Sequence, residues 1–549
     1  MEQSVRPPEW KPARPSLGVL FHNMRSAIAR TYKKHPIWFN TIGIAIILAL
    51  YAERQTVQPL LLTVRIYAGA ALAVLIVVGL VCIAVLLLFV GRSRWLKALV
   101  SVLAVVGIGG IIVSISAEDY LSHYFRYERL YALTDTPTMP TTAYERVLPL
   151  TSVYTIAQER MNETDEPSQP DMVRVNPGYA WTMAIEPAKW WGQLTYSIRE
   201  MFSIDSTQTS PDLSRRHPIN VNFSIGENFY LWRNTERCVR RSFGPLRSLS
   251  YEPGNVLYME NDSGKWVEVV SLIRWTGIFF PYPEFGGVQV IEQGNDNPVA
   301  DVFLGCGHWI KPEDIGKYNY LRGQNLVPYA VSRYMAESIR FQAGLLAPLP
   351  FYRQGDLRLA DVPENSNPQP FTLYFKFDQE KEGKLYQYFA LEPHDTDKQG
   401  LSTSLFVPAD GIGPIYRYRH FLHQEAPIGP TVVADQVRTS RKNYQWWTSN
   451  EEADLSKTLS LPAEVRPYIR DMPDANGNVE RRFEWMVTVV TVKQRSKEDP
   501  LQFIAGSDPE IAIVDAFHPT VVWVDHLHPD LWPSQIQEAL GQQWASDAP

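Results

Sequence analysis

Residues 266–273 (WVEVVSLI) and 286–294 (GGVQVIEQG) decide the fold class of this chain. Both runs are short and rich in β-branched residues, which is typical of β-strands. Turn-forming residues flank them, with DSG at 262–264 and GNDNP at 294–298. Two such strands along a short stretch of chain favour an antiparallel hairpin. A helical pattern at 229–242 comes before them, so this part predicts one helix lying across an antiparallel sheet.

The same combination of helix and strands recurs along the chain. Other strand-like runs are FTLYFKF (371–377), YQYFALEP (386–393), MVTVVTVK (486–493) and PEIAIVD (509–515). Helical patterns occupy residues 150–163, 229–242, 328–343 and 430–442. The last three patterns begin about 100 residues apart, which suggests internal repeats, with coincidental spacing in one or two irregular α+β domains as the alternative. The chain is therefore predicted to be α+β, with tandem helix-on-antiparallel-sheet modules at 118–224, 225–322, 323–427 and 428–549.

The N-terminal part of the chain has a different composition. Its apolar runs cover residues 36–52, 66–91 and 98–117, and the second and third contain no charged residue. A helix of about 20 apolar residues crosses the hydrocarbon core of a bilayer, so all three runs are predicted to span a membrane. The first run has 17 residues and contains Asn40, which places it at the short end of the range. Residues 36–117 therefore predict a three-helix transmembrane segment.

Lysine and arginine predict the orientation of this segment. Residues 1–117 hold 12 Lys and Arg against 3 Asp and Glu, whereas residues 118–549 hold 40 against 56. Because basic loops stay in the cytoplasm, the basic segment 1–35 and the N-terminus are predicted to be cytoplasmic. With three spans, residues 118–549 are extracytoplasmic, and the chain is a multi-pass protein of the plasma (inner) membrane. If residues 36–52 do not span, the large region lies inside instead.

Residues 17–34 carry a further pattern within the basic segment. Their apolar side chains recur at helical spacing, and the basic side chains lie largely outside that stripe. The pattern predicts an amphipathic helix, either on the anionic cytoplasmic face of the membrane or packed on a partner protein.

Three membrane helices followed by helix-on-sheet units give the chain a resemblance to a known group. The strand pairs that carry it are WVEVVSLI with FGGVQVIEQ (266–273 and 285–293) and EWMVTVVTV with EIAIVDAFHPTVVWV (484–492 and 510–524), each with the helix before it. In this arrangement the chain resembles poorly characterised bacterial membrane proteins with PepSY-like or cystatin-like outer modules. The resemblance covers much of residues 225–549. It implies an envelope-facing interaction role without a catalytic residue set, and it assigns no function to any position.

Motifs for common chemistry are absent from the sequence. It contains no GxxxxGK[ST], no GxGxxG after a strand, no HExxH and no GxSxG. We therefore predict no catalytic residue, cofactor or resident metal, which favours a non-enzyme while leaving an enzyme with dispersed residues open. His526 and His528 would share one face of an extended segment and could begin a zinc or copper site, or simply belong to a polar strand end. His420 and His423 are interpreted as surface polar residues.

The three cysteines do not form a dense disulfide scaffold. Cys82 lies inside the second predicted span, whereas Cys238 and Cys306 lie in the large region. An oxidising compartment could join Cys238 and Cys306 in a disulfide. The alternative is two small buried thiols.

The aromatic residues and the charge of the large region bear on its partners. Most of the 16 Trp should fill thin sheet-on-helix cores, although some could stack on sugars. The adjacent pairs Trp190–Trp191 and Trp446–Trp447 are the better surface candidates, because neighbours on a strand point to opposite faces. The acidic balance disfavours nucleic acid.

The predicted function is a membrane-anchored structural or interaction protein. Its expected partners are the lipid bilayer and other envelope proteins or a second copy of itself. The alternatives are an accessory subunit of a membrane complex and an envelope enzyme or metal-dependent module.

Overall fold

The computed structural model describes part of the N-terminal 117 residues and most of residues 118–549. The described ranges are 54–66, 119–130, 133–158, 161–175, 178–207, 216–277, 280–294, 303–353, 355–360, 369–394, 400–420, 426–447, 458–473, 478–494, 503–505, 509–518, 520–525 and 527–547, with Thr41, Gly79, Ile83 and Val102. The basic segment 1–35 and almost all of the predicted spans 36–52, 66–91 and 98–117 lie outside them. Within the described ranges, the structure contains no helix with the length and apolar character needed to cross a membrane. The chain divides into two units, Met1–Val57 and Gln58–Pro549, and all the described strands belong to the second.

Helices of the described ranges lie between groups of strands. The α-helices are α1 (Arg54–Ile66), α2 (Leu150–Gln158), α3 (Trp190–Thr195), α4 (Thr235–Ser242), α5 (Gly244–Arg247), α6 (Tyr329–Ser338), α7 (Pro430–Ser440) and α8 (Trp532–Asp547). The 3-10 helices are Leu231–Arg233, Pro312–Lys317, Asn319–Leu321, Ile339–Phe341 and Pro529–Leu531. Residues 119–128 are also helical and are called the exit helix below.

The described strands form four sheets. In chain order they are β1 (Leu133–Asp135), β2 (Thr141–Ala143), β3 (Asp165–Pro167), β4 (Asp171–Arg174), β5 (Tyr179–Pro187), β6 (Ile198–Asp205), β7 (Arg216–Phe223), β8 (Tyr251–Glu260), β9 (Trp266–Thr276), β10 (Tyr282–Glu292), β11 (His308–Ile310), β12 (Leu357–Leu359), β13 (Phe371–Lys376), β14 (Lys384–Pro393), β15 (Thr403–Pro408), β16 (Ile415–Arg419), β17 (Leu459–Pro473), β18 (Val479–Gln494), β19 (Phe503–Ala505), β20 (Glu510–Asp515) and β21 (Val521–Val524). The first sheet has the order β3-β5-β6-β7 with β4 beside β5, and the second has the order β11-β10-β9-β8. The third has the order β1-β16-β15-β14-β13-β2 with β12 beside β14, and the fourth has the order β17-β18-β20-β21 with β19 beside β18.

The α+β class is confirmed, and sheets dominate it. Helices α2, α4, α6 and α7 lie within the four predicted helical patterns, and each precedes one of the sheets. Most strands of each sheet come from one predicted module. Strands β1 and β2, however, lie in residues 118–224 and join the third sheet. The module boundaries and the duplication stay predictions, and almost all residues of the three predicted membrane spans lie outside the described residues.

The third sheet is buried on both faces, and the amino-acid sequence of its central strand β14 reflects this burial. Phe389 of β14 packs against Met335 of α6 on one face. Tyr388 points to the other face and meets Trp485 of the fourth sheet, with ring centroids 6.5 Å apart. Because successive strand residues alternate between faces, a strand covered on both sides needs an unbroken apolar run. The run YQYFALEP (386–393) therefore lacks the alternation of a half-exposed strand.

Residues 133–143 bind the third sheet at both of its edges. β1 pairs parallel with β16, and β2 pairs antiparallel with β13. Asp135 of β1 accepts two hydrogen bonds from Arg417, at 2.6 and 3.1 Å. Thr142 of β2 accepts from the backbone N–H of Ile469 at 3.0 Å, which joins the third sheet to the fourth. This short segment therefore connects two sheets that lie far from it in sequence.

A buried polar network joins the first three sheets. Asp171 of β4 accepts hydrogen bonds from Asn255 of β8 at 3.2 Å and from the Tyr329 hydroxyl of α6 at 3.3 Å. Asn325 donates to that hydroxyl at 2.7 Å and accepts from Gln387 of β14 at 2.9 Å. Burial raises the pKa of Asp171 to about 7, partly offset by these hydrogen bonds. Three sheets thus meet at side chains that satisfy one another away from water.

A buried charge cluster joins the first sheet to the fourth. The Glu464 carboxylate lies 2.7 Å from the guanidinium of Arg146 and 2.7 Å from that of Arg466, and all three side chains are at most 2% exposed. These three residues form the buried triad. The Arg146 guanidinium also lies 5.3 Å from the ring centre of Trp181 in β5, and Arg466 donates to Thr488 at 2.6 Å. Burial lowers the pKa of Arg466 to about 10, and the neighbouring Glu464 carboxylate opposes this shift.

Replacing the carboxylate of the triad should strongly destabilise the protein. In Glu464→Gln, the guanidinium groups of Arg146 and Arg466 stay buried without their counter-ion. We expect the free energy of unfolding to fall by about 3–5 kcal/mol, as for other buried ion pairs that lose one partner. Unfolding in guanidinium chloride, followed by tryptophan fluorescence, measures the change.

The matched Glu236→Gln variant removes the exposed partner of Arg240 and should leave the midpoint nearly unchanged. Equal midpoints for the two variants would contradict the role of the triad.

Candidate interaction site

Six large side chains are exposed close together on α3, on the 3-10 turn Leu231–Arg233 and directly beside them. They form the aromatic patch, which consists of Trp190, Trp191, Tyr196, Tyr230, Leu231 and Trp232. The patch is continuous because α3 lies against the 3-10 turn. Trp190 and Trp191 are 61% and 60% exposed, and their rings meet edge to face at 5.5 Å. Exposed apolar groups of this size, when contiguous, are typical of binding surfaces.

Glu186 holds the two halves of the patch together. It lies near the end of β5, just before α3, and is fully buried. Its carboxylate accepts hydrogen bonds from the backbone N–H of Glu227 at 2.7 Å and from that of Asn228 at 2.8 Å, just before the 3-10 turn. A Cβ on Gly226 would lie 2.5 Å from the Glu186 Oε1 atom, so this approach requires glycine.

Asn234 fixes the direction of the second half of the patch. Its Oδ1 accepts from the N–H of Arg237 at 3.0 Å, which caps α4, and its Nδ2 donates to the Glu227 carbonyl at 2.6 Å. Leu231 has a φ of 56°. That left-handed conformation costs a non-glycine residue about 1–3 kcal/mol and persists only where the surroundings impose it. The Glu186-bound loop on one side and the Asn234 cap on the other impose it here.

Three exposed basic residues lie close to the aromatic patch in sequence. Lys189 precedes α3, Arg199 is the second residue of β6, and Arg237 lies on the first turn of α4. The large region as a whole is acidic, with 56 Asp and Glu against 40 Lys and Arg. The patch therefore combines Trp, Tyr and basic residues, the composition found at the energetic centres of protein interfaces.

Three glutamates lie beneath the patch and form the acidic trio: Glu186 and Glu268, which are fully buried, and Glu227, which is half-buried. Burial raises the pKa of Glu186 to about 7 and that of Glu268 to about 8. Burial, with the neighbouring Glu186 carboxylate, holds the pKa of Glu227 well above its usual range. Glu268 accepts a hydrogen bond from Thr235 at 2.6 Å, which ties the trio to the first turn of α4. The packing under the patch is therefore most favourable when these groups keep their protons.

The acidic trio predicts a loss of stability as the pH rises. The folded pKa of Glu268, about 8, lies above its ordinary 4.5, so the folded chain binds a proton that the unfolded chain has lost. This contribution is fully present below the ordinary pKa and is lost as the pH rises through the folded pKa. We expect the melting temperature of the full chain to fall from about pH 5 to about pH 9 and to fall less in Glu268→Gln.

Differential scanning fluorimetry of the purified full chain measures this slope. The control is Glu260→Gln, on the neighbouring strand β8, where the carboxyl is exposed. A wild-type slope in Glu268→Gln, matching that of Glu260→Gln, would show that the buried carboxyl does not hold its proton.

The structure describes one of the two predicted metal candidates, His528. His526 lies outside the described residues, and His528 is exposed with only a 4.0 Å approach to Asp525. No group of three or more His, Cys, Asp or Glu side chains suited to a metal ion occurs among the residues that the structure describes.

The interpretation of His420 as a surface polar residue is wrong, because its side chain is buried. Its ring nitrogen lies 2.9 Å from the hydroxyl of Ser404, and its ring stacks on Phe483 at 5.6 Å. It lines a cleft of about 410 Å³ between the third and fourth sheets. Ser404 is fully buried in β15, so the pair is placed for packing and not for attack on a substrate. His423 lies outside the described residues.

The structure brings Cys238 of α4 and Cys306 together in a disulfide, with Cα atoms 5.5 Å apart. That separation suits a disulfide. Gln289 of β10 donates a hydrogen bond to the Cys306 carbonyl at 2.8 Å. A cavity of about 310 Å³ opens beside the disulfide, and its wall includes Trp309, over which the Arg247 guanidinium lies at 4.8 Å.

Thiol chemistry tests the pairing of Cys238 and Cys306. If the large region faces an oxidising compartment, alkylation of the denatured, unreduced protein should modify only Cys82, and reduction should release two further thiols. Intact-mass spectrometry counts the alkyl groups. Because the disulfide spans 68 residues, reduction should also lower the melting temperature. Three reactive thiols before reduction would contradict the disulfide and the oxidising location together.

The sequence found part of the aromatic patch. The predicted exposure of Trp190 and Trp191 is confirmed, whereas that of Trp446 and Trp447 is wrong, since Trp447 is buried and Trp446 packs against the core. Tyr230–Trp232 were missed because they lie inside the predicted helical pattern 229–242. The sequence signal was present in Asn234, a typical helix cap, which places the start of α4 after these residues.

Comparison with known proteins gives no match, whether with family models, curated proteins or solved structures. The resemblance to membrane proteins with PepSY-like or cystatin-like modules therefore stays a prediction.

Proposed function

We propose that this chain is a membrane-anchored interaction protein. Residues 36–117 hold it in the plasma (inner) membrane by three helices, with the N-terminus in the cytoplasm and residues 118–549 outside. The aromatic patch then binds an acidic surface of a protein partner in the envelope. The observation that carries the proposal is this exposed patch, held in place by the buried Glu186.

A contact of Arg65 supports the arrangement across the membrane. Helix α1 lies between the first two predicted spans, and Arg65 near its end donates to the Leu249 carbonyl and to the Ser250 hydroxyl. Residues 65 and 250 must then be on the same side of the membrane. An even number of crossings between them is required, and the predicted spans 66–91 and 98–117 supply two.

The composition of the patch supports a protein partner of acidic character. Trp, Tyr and Arg dominate the residues whose truncation weakens protein interfaces. Exposed Lys189, Arg199 and Arg237 favour an anionic surface by charge. Two sources could offer one, namely another envelope protein or the acidic large region of a second copy of this chain.

Truncation of the patch tests the proposal. The double variant Trp190→Ala/Trp191→Ala removes two exposed rings without touching the core. A single such residue at the centre of an interface contributes about 2 kcal/mol, so partner recovery should fall by roughly 30-fold or more. The full-length tagged protein is extracted in mild detergent after cross-linking, and its partners are quantified by mass spectrometry. Phe517→Ala, another exposed aromatic outside the patch, is the matched control and should recover partners normally.

Two further arms identify the partner. Co-expression of two differently tagged copies separates self-association from binding of another protein. Glu186→Ala should mimic the double variant, because it releases the two halves of the patch. Full partner recovery by both Trp190→Ala/Trp191→Ala and Glu186→Ala would overturn the proposed role of the patch.

A further inference from the structure

A second exposed apolar segment lies at residues 345–352, after α6. We call residues 345–352 the apolar loop. Its exposed side chains are Leu345, Leu346, Phe351 and Tyr352, and Phe351 is 81% exposed. A surface phenylalanine this open to water is unfavourable unless something covers it. The apolar loop lies outside the aromatic patch, so the partner proposed for the patch does not account for it.

The exit helix holds the apolar loop at a defined place. Tyr120, on its first turn, donates a hydrogen bond from its hydroxyl to the Leu345 carbonyl. The Tyr120 ring also meets Phe341 edge to face at 4.8 Å. The start of the loop is thus fixed to the part of the chain that directly follows residue 117, where the third predicted span ends.

Chain length then limits the distance between the apolar loop and the bilayer. Tyr120 is three residue steps from position 117, and three steps reach at most about 11 Å when the chain is fully extended. The polar region of a bilayer adds roughly 5–8 Å on each side of the hydrocarbon core. Tyr120, and with it the beginning of the loop, must therefore lie close to the headgroups if residues 98–117 span.

The exit helix is firmly docked, so the apolar loop cannot readily move away from this level. His123 lies 3.3 Å from the Asp119 carboxylate and 3.5 Å from that of Glu337 on α6, and its ring stacks on Tyr334 at 3.8 Å. Burial disfavours protonation of His123, but these carboxylates outweigh it and raise its pKa to about 9. Arg126, one turn later, approaches Glu284 of β10 at 3.7 Å.

We propose that the apolar loop inserts into the headgroup region of the outer leaflet. The inference rests on the proposed membrane anchor. Phe351 and Leu346 would enter the edge of the acyl chains, and Tyr352 would lie at headgroup level, as aromatic residues do at membrane interfaces. Arg353 follows directly, is exposed, and can meet lipid phosphate. The lipid surface is the chosen occupant because the chain itself brings the loop to it.

A fluorescent label on the apolar loop tests the insertion. Phe351→Cys is made in full-length protein carrying Cys82→Ala, so that position 351 offers the single free thiol beside the paired Cys238 and Cys306, and this thiol is labelled with an environment-sensitive dye. The protein is reconstituted in nanodiscs of phosphatidylcholine and phosphatidylglycerol, with or without brominated acyl chains. The dye at 351 should emit at shorter wavelength than in water and lose most of its emission to brominated lipid. The same dye at Val479→Cys, exposed on β18, should do neither.

Failure of the insertion and failure of the anchor give different results. A protein that stays in the nanodisc while the dye at 351 behaves like the dye at 479 overturns the insertion and leaves the anchor intact. A protein that is not retained by the nanodisc overturns the anchor itself. A blue-shifted dye at 351 that brominated lipid does not quench also overturns the insertion, since the loop is then covered by protein.

Discussion

The large region depends on the buried triad, because two guanidinium groups and one carboxylate leave water only when all three are assembled. Removing charges from water costs several kcal/mol per ion, and their mutual attraction offsets this only in close geometry. Arg146 and Glu464 are 318 residues apart in sequence, and Arg146 packs on Trp181 of the first sheet. The beginning and the end of the region must therefore meet for either charge to be tolerated. This requirement brings the first sheet and the fourth sheet together at the triad.

The same principle recurs wherever two sheets meet. Asp171, Tyr329 and Asn325 satisfy one another between the first three sheets, and Thr142 connects the third sheet to the fourth. Polar contacts of this kind specify geometry more sharply than apolar packing, since a misplaced partner leaves a buried group unsatisfied. The sheets are thus fixed relative to one another, which gives the surface features built on them defined positions.

Local periodicity predicted the main helices and part of the strands of this fold, but not the 15-residue strand β17 and not how the elements assemble. The runs at 266–273 and 386–393 are strands because β-branched and aromatic side chains fit a pleated sheet, and that preference is local. The pairing of β1 and β2 with the two edges of the third sheet depends on contacts far apart in sequence, which no local pattern contains. The burial of Glu464 and Arg466 was not predicted for a related reason. Glu and Arg are mostly exposed in folded proteins, so a sequence that contains them normally indicates a surface position. One signal was available, because Glu464 and Arg466 share one face of β17 within residues 461–469, which are otherwise apolar or aromatic.

Two exposed surfaces with different neighbours argue for two different occupants. The aromatic patch has three exposed basic residues close to it in sequence and rests on Glu186, which is fully buried, and this burial raises the pKa of its carboxyl. The apolar loop is held instead by the exit helix, through Tyr120 and the His123 ion pairs. Because the sheets lock these elements into one body, a loop resting on lipid would also fix how the patch faces its partner. A membrane contact near the anchor would then limit the rotation of the large region, and less entropy would be lost when the partner binds.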